Sequence, residues 1–213
     1  MDATRPREGE SGPVRRSLAG AAIQTYATSV FGAVLSLANV LVMARAIGPS
    51  GRGDIAFLTA MAYLASNLAT FGVQESIGNI AGTEPGKRPA LASNAVLFSL
   101  VFGALANLVL VALFIIVPAS TGDLSLLLLA LTLLTIPVLI LQVFLRLLVQ
   151  ADYCFGVANV SAFLPIVVNL VGNAAFASVG ALTVTTAACT WIVGQFLATL
   201  VLVWHVSARL AGF

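Results

Sequence analysis

Charge is what this sequence lacks most. Only 8% of its 213 residues are Asp, Glu, Lys or Arg, against about 25% in an average soluble domain. That is too little charge to coat a water-exposed surface, so a soluble globular fold is excluded. The net charge of +2 comes without a basic patch. Binding of a phosphate backbone requires such a patch, so no nucleic-acid partner is expected. One histidine and two cysteines do not make a zinc site or a disulfide framework. Cys154 and Cys189 are expected to be free thiols, Cys154 near the inner face and Cys189 inside the last span. There is no phosphate-binding P-loop and no dinucleotide fingerprint. No metal, cofactor or catalytic residue is therefore expected, and the chain does not read as an enzyme.

What the chain has is apolar length. Apolar residues make up 60% of it, which also excludes disorder. A bilayer core about 30 Å thick needs roughly 20 apolar residues per spanning helix. Six stretches qualify, at about 18–46, 55–80, 91–117, 124–147, 153–178 and 181–206. Gly48–Asp54, Thr83–Pro89, Ala119–Asp123 and Val149–Asp152 separate most of them, and the weakest break lies near Gly180. Backbone in lipid must satisfy its own hydrogen bonds. The runs are too long for barrel strands and lack period-two alternation. The expected fold is all-α, a polytopic membrane bundle of about six helices over 18–206. A polar segment (1–17) precedes it and a short tail (207–213) follows.

Basic residues orient the bundle, because Lys and Arg concentrate in cytoplasmic loops. With the N-terminus inside, the inner segments hold Arg5, Arg7, Arg15, Arg16, Lys87, Arg88, Arg146 and Arg209, and the outer ones only Arg45 and Arg52. Both termini are then cytoplasmic, in the cell (inner) membrane.

The spans carry polar stripes. In the first, Thr25, Thr28, Ser29, Gly32, Ser36 and Asn39 fall within about 100° of helix surface. Small residues at this spacing suit close helix packing, and the same stripe suits the wall of a hydrated cavity. In the second, Tyr63, Asn67, Thr70, Gln74 and Gly78 share a face, with Glu75 beside them. Glu75 is the one acid well inside an apolar run, which makes it a candidate for ion coupling. Its position near the inner boundary also allows it to face water or to pair with Lys87 or Arg88. Pro137 and Pro165 stand mid-span and are expected to kink their helices. Gln142 and Arg146, and likewise Asn169 and Asn173, are spaced i, i+4. Arg146 reads as an interfacial arginine or as an attractor of anionic headgroups.

Gly48-Pro49-Ser50-Gly51 matches the Gly-x-Ser-Gly pattern of rhomboid intramembrane proteases, and His205 stands in the last span. Ser50 and His205 belong at opposite membrane faces, about 30 Å apart, and a catalytic dyad needs about 3 Å. His205, next to Trp204, reads instead as an interfacial residue.

The stretch Ala44-Arg45-Ala46-Ile47-Gly48-Pro49-Ser50-Gly51-Arg52-Gly53-Asp54 is followed by Ile55–Ala60 and, later, by Phe71-Gly72-Val73-Gln74-Glu75-Ser76. It resembles the first helix pair of the bacterial O-antigen-type polysaccharide flippases, in the multidrug/oligosaccharidyl-lipid/polysaccharide exporter superfamily. Their first loop typically reads Arg, a few apolar residues, then Gly-Pro-x-Gly-x-Gly. In that loop Pro49 and the glycines suit a tight outer turn, with Asp54 capping the next helix. Leu145-Arg146-Leu147-Leu148-Val149-Gln150-Ala151-Asp152-Tyr153, continuing to Asn159, is similar to the family's connection between the fourth and fifth helices.

The resemblance implies a transporter of undecaprenyl-diphosphate-linked sugars for cell-surface polysaccharide synthesis. Arg45, Arg52 and Arg146 are the candidates for contacting phosphate, with Asn39, Asn67 and Gln74 on the cavity wall and Glu75 for ion coupling. Family members have two bundles of six helices, and this chain has one bundle's worth. The implied partners are membrane lipids, the lipid-linked glycan, and a second six-helix bundle, either a homodimer mate or a C-terminal half. The alternatives are one half of a multidrug-extrusion antiporter, or a non-transporting membrane scaffold or truncated product.

Overall fold

The computed structural model describes residues 12–117 and 124–210. Arg5, Arg7, the break at Ala119–Asp123, the side chains of Arg15 and Arg16, and the last three residues of the tail lie outside the described residues. Among these residues seven α-helices follow one another: α1 (Gly12–Ala46), α2 (Gly48–Ala69), α3 (Val73–Thr83), α4 (Arg88–Ile116), α5 (Leu126–Ala151), α6 (Phe155–Ser178) and α7 (Val184–Leu210). A 3₁₀ turn, Pro85–Lys87, joins α3 to α4. Among the described residues there is no strand, and the chain is an all-α polytopic bundle. Among the described residues five helices (α1, α4, α5, α6 and α7) are long and apolar enough to cross a membrane, and α2 with α3 meets the same measure only as a pair bent at a short break.

That pair departs from the continuous helix expected over 55–80. It breaks at Thr70-Phe71-Gly72 and turns through 61°. Gly72 has φ 78° and Phe71 φ 43°. Gly72 enters the left-handed region without a Cβ penalty, whereas Phe71 is a bulky residue held there at a cost.

The Gly-Pro-x-Gly-x-Gly stretch is a second correction. It is not an outer loop but the first turns of α2, and the only break before it is Ile47. Pro49 sits in the first turn, where its missing N–H costs nothing and its φ is already helical. Gly48 alone uses a positive φ, at 73°. Gly51 serves packing, because a Cβ there would meet Ile47 Cβ at 3.1 Å and Val184 Cγ2 at 3.2 Å. Asp54 therefore lies inside α2 and is not its cap. The faint break near Gly180 is sharply built: Gly180 has φ 67°. Thr183 and Thr186 cap α7 reciprocally, each backbone N–H donating to the other's hydroxyl at 2.8 and 3.2 Å, in the manner of a capping box.

The core sits around α5, which packs against α2, α3, α4 and α7. Ile136, Ile140 and Phe144 are fully buried along it. The two mid-helix prolines are seated on glycines of neighbouring helices. Pro137 of α5 meets Gly103 of α4, where an added Cβ would come within 2.6 Å of the proline ring. Pro165 of α6 meets Gly194 of α7, where a Cβ would lie 3.0 Å from the proline Cα. α6 lies between α1 and α7. The outward faces are apolar, with Leu37, Leu108, Val171 and Leu200 all strongly exposed, as a lipid-facing surface requires.

Candidate functional site: a polar cavity between α1, α2, α6 and α7

A cavity of about 300 Å³ lies between α1, α2, α6 and α7, at the end of the bundle where α1 meets α2. Asn39, Arg52, Tyr63, Asn169, Trp191 and Gln195 are among the residues lining it. Its rim is open, with Ser36, Arg52, Ala56 and Tyr63 exposed.

Its polar wall is organised by Asn173, which is fully buried behind it. Asn173 Nδ2 donates to Asn39 Oδ1 at 2.8 Å and to Asn169 Oδ1 at 2.9 Å. Its Oδ1 accepts from the Thr190 hydroxyl at 2.7 Å. Three helices are joined through one amide whose donors and acceptor are all used. Asn39 and Asn169 spend only their oxygens in this arrangement. Among the described residues no group accepts a hydrogen bond from the Nδ2 of either. The cavity therefore presents amide donors.

A second polar track runs deeper. Gln195 Nε2 donates to the Tyr63 hydroxyl at 2.8 Å, and the Tyr63 ring meets Trp191 edge-on at 5.9 Å. Gln142 Nε2 donates to the Gln195 carbonyl at 3.4 Å. One turn further along α5, Arg146 Nη2 donates to Gln142 Oε1 at 3.2 Å. Arg146 Nε is buried without a partner, and no carboxylate pairs with this arginine among the described residues. Among the described residues Arg52 is the one formally charged residue lining the cavity, and no carboxylate lines it.

The structure thus divides the sequence candidates. Asn39 and Arg52 come together at the cavity, whereas Arg146 does not line it and bonds Gln142, which reaches only the backbone carbonyl of Gln195. Arg45 is exposed and lies outside the lining. Asn67 is exposed and donates to Tyr63 O of its own helix at 2.8 Å. Gln74 and Glu75 fall beyond the 61° break, on α3, and do not line the cavity. The expected face from Tyr63 to Gly78 is therefore split. Glu75 is exposed in the first turn of α3. Its suggested partners are engaged elsewhere, Lys87 with Glu84 at 2.7 Å and Arg88 with Asp152 at 2.8 Å.

The α1 stripe serves both of its readings in different places. Thr28 and Ser29 donate back to Gln24 O and Thr25 O, and Gly32 packs on Ile166. Beyond Gly32, Ser36 and Asn39 turn to the cavity. Sequence reasoning passed over Thr190, Trp191 and Gln195. Their signal was the same one that marks Asn169 and Asn173, hydrogen-bonding side chains in the middle of an apolar span. No protein-family profile, curated protein or solved structure matches this chain.

Proposed function

We propose that this chain is one bundle of a membrane transporter whose cavity receives the polar part of a lipid-linked saccharide, with both termini in the cytoplasm. The supporting observation is the cavity itself. Asn39, Asn169, Tyr63, Gln195 and Arg52 line an open recess inside otherwise apolar helices. Polar groups in hydrocarbon are costly without partners, and a hydroxyl-rich or phosphoryl ligand supplies acceptors for spare amide donors and a cation. An aromatic pair beside them suits the face of a sugar ring. The open rim lets a lipid tail remain in the bilayer while the headgroup enters. The resemblance to polysaccharide flippases narrows the ligand to an undecaprenyl-diphosphate-linked sugar. A cation antiporter would need an acid in the cavity, and Glu75 is exposed on another helix.

A cavity open on one side needs a second wall. A second copy of this bundle, related by an axis along the membrane normal, or a further bundle in the same orientation provides it. The test is reconstitution in liposomes, reading how fast a lipid-linked oligosaccharide becomes accessible to an impermeant lectin. Acceleration is expected from the oligomeric fraction, slowed about tenfold by Asn169→Ala but not by Asn67→Ala. No acceleration from any fraction, or equal effects of the two variants, would refute the reading.

A further inference from the structure

A second cavity, of about 350 Å³, lies at the opposite end of the bundle and belongs to none of the machinery above. It is bounded by the 3₁₀ turn and the start of α4, the end of α5 and the last turns of α7. Its volume lies in the range of small-molecule sites. Leu148, Val149, Val206 and two prolines, Pro85 and Pro89, give it apolar walls, and Arg88, Asp152, His205 and Arg209 form its polar part.

The two arginines are used differently. Arg88 is fixed: Nη1 donates to Asp152 Oδ1 at 2.8 Å, Nη2 to Ala151 O at 3.0 Å and Nε to Ala81 O at 3.0 Å. It ties the ends of α3 and α5 to the start of α4. Arg209 is loosely held and more than half exposed, with Nη1 3.5 Å from Asp152 Oδ2 and Nη2 3.3 Å from Cys154 Sγ. Asp152 is already neutralised by Arg88, so the cavity carries a surplus positive charge on a guanidinium with N–H groups to spare. His205 Nε2 is shielded and has no hydrogen-bond partner. The start of α4, a 29-residue helix, adds the positive end of its dipole. Tyr153 and Trp204, both more than two-thirds exposed, flank Asp152 and His205 in sequence. Exposed Tyr and Trp mark headgroup depth in a bilayer.

We propose that this cavity binds a phosphate group carried on an anionic phospholipid. Arg209 and Arg88 face the phosphate, and the apolar walls take the start of the acyl chains. Arginine holds a phosphate with two parallel N–H donors, and at headgroup depth the lipid is the phosphate source at hand. The site does not depend on the transport reading.

The test uses the full chain in phosphatidylcholine nanodiscs, with and without phosphatidylglycerol, read by native mass spectrometry and by the thermal unfolding midpoint. A parallel arm adds inorganic phosphate at constant ionic strength. One phosphatidylglycerol should be retained per chain with a raised midpoint. Arg209→Gln should weaken retention about tenfold or more. Lys87→Gln, an equal charge change at the same end but outside the lining, should leave it intact. A response to inorganic phosphate equal to that of the lipid would overturn the lipid assignment. Retention unchanged in Arg209→Gln, or lost equally in Lys87→Gln, would overturn the site. Because Arg88 also clamps three segments, it is left unaltered, and the midpoint of each variant without anionic lipid checks its fold.

Discussion

Replacing Asn173 by alanine tests the central claim about the polar wall. Asn173 makes two interhelical hydrogen bonds, to Asn39 on α1 and from Thr190 on α7, and one within α6 to Asn169. Thr190 keeps an acceptor after the change, because its hydroxyl already lies 2.9 Å from Ala187 O. Asn39 and Asn169 line the cavity, so water can replace their lost donor. The full penalty for a buried orphan group, about 1–3 kcal/mol, therefore applies to neither. Interhelical hydrogen bonds in membrane proteins average about 0.6 kcal/mol, so the two together are worth about 1.2 kcal/mol. The void left at a fully buried site adds a cavity cost. The expected destabilisation is about 1.5–2.5 kcal/mol.

The assay is denaturing-detergent unfolding in mixed micelles, followed by tryptophan fluorescence. Trp191 is buried next to Thr190 whereas Trp204 is exposed, so loss of the wall reports at Trp191. A double-mutant cycle with Asn39→Ala should give a coupling of about 0.6 kcal/mol, and not above about 1.7. Asn67→Ala, which removes only a bond within its own helix, should stay within about 0.5 kcal/mol of the parent. Asn173→Ala no less stable than Asn67→Ala, or zero coupling with Asn39, would refute the reasoning.

Three further outcomes are expected. Gly103→Ala places a methyl 2.6–2.9 Å from three atoms of Pro137, one of them backbone. It should lose about 1–3 kcal/mol in the same unfolding assay, and an unchanged midpoint would show that the proline seat is soft. Burial pushes the Cys154 thiol above its ordinary pKa, with Arg209 pulling it down in smaller measure. Its iodoacetamide reaction should therefore rise only at a pH above about 8.5, and any stability it contributes is full below that pH and fades as pH climbs through the raised value. A half-rise at or below the ordinary value in a mass-spectrometric profile would contradict this. Cysteines introduced at Ser50 and Gly86 should differ towards an impermeant maleimide applied outside cells, the first labelled and the second protected, and the reverse pattern would invert the bundle.

The membrane character and the all-α class were readable because both follow from apolar run length, a one-dimensional property. What escaped was set by packing between helices. Gly51 and Gly53 carry no mark that separates a turn glycine from a helical one, and the close approach of Val184 to Gly51 comes from α7, more than 130 residues away. The break at Phe71-Gly72 was equally hidden, because Phe-Gly occurs inside spans as well as at their ends. It removed Gln74 and Glu75 from the face that a continuous helix assigns them. Asn39 and Arg52 were legible as polar residues in or beside a span. Their convergence was not, since it depends on how α2 packs back against α1.

The satisfied and unsatisfied amides divide the cavity into two roles. Asn173 has every donor and acceptor engaged, so its cost of burial is met by the protein and its effect is to hold α1, α6 and α7 in register. Asn39 and Asn169 give their oxygens to that task and keep their N–H donors for whatever fills the recess. With Arg52 on the same wall and no carboxylate among the lining residues, the recess offers donors and positive charge. Such a wall supplies hydrogen-bond donors to an acceptor-rich guest, whether hydroxyl or phosphoryl. Asn173 therefore fixes which atoms its two neighbours turn to the recess.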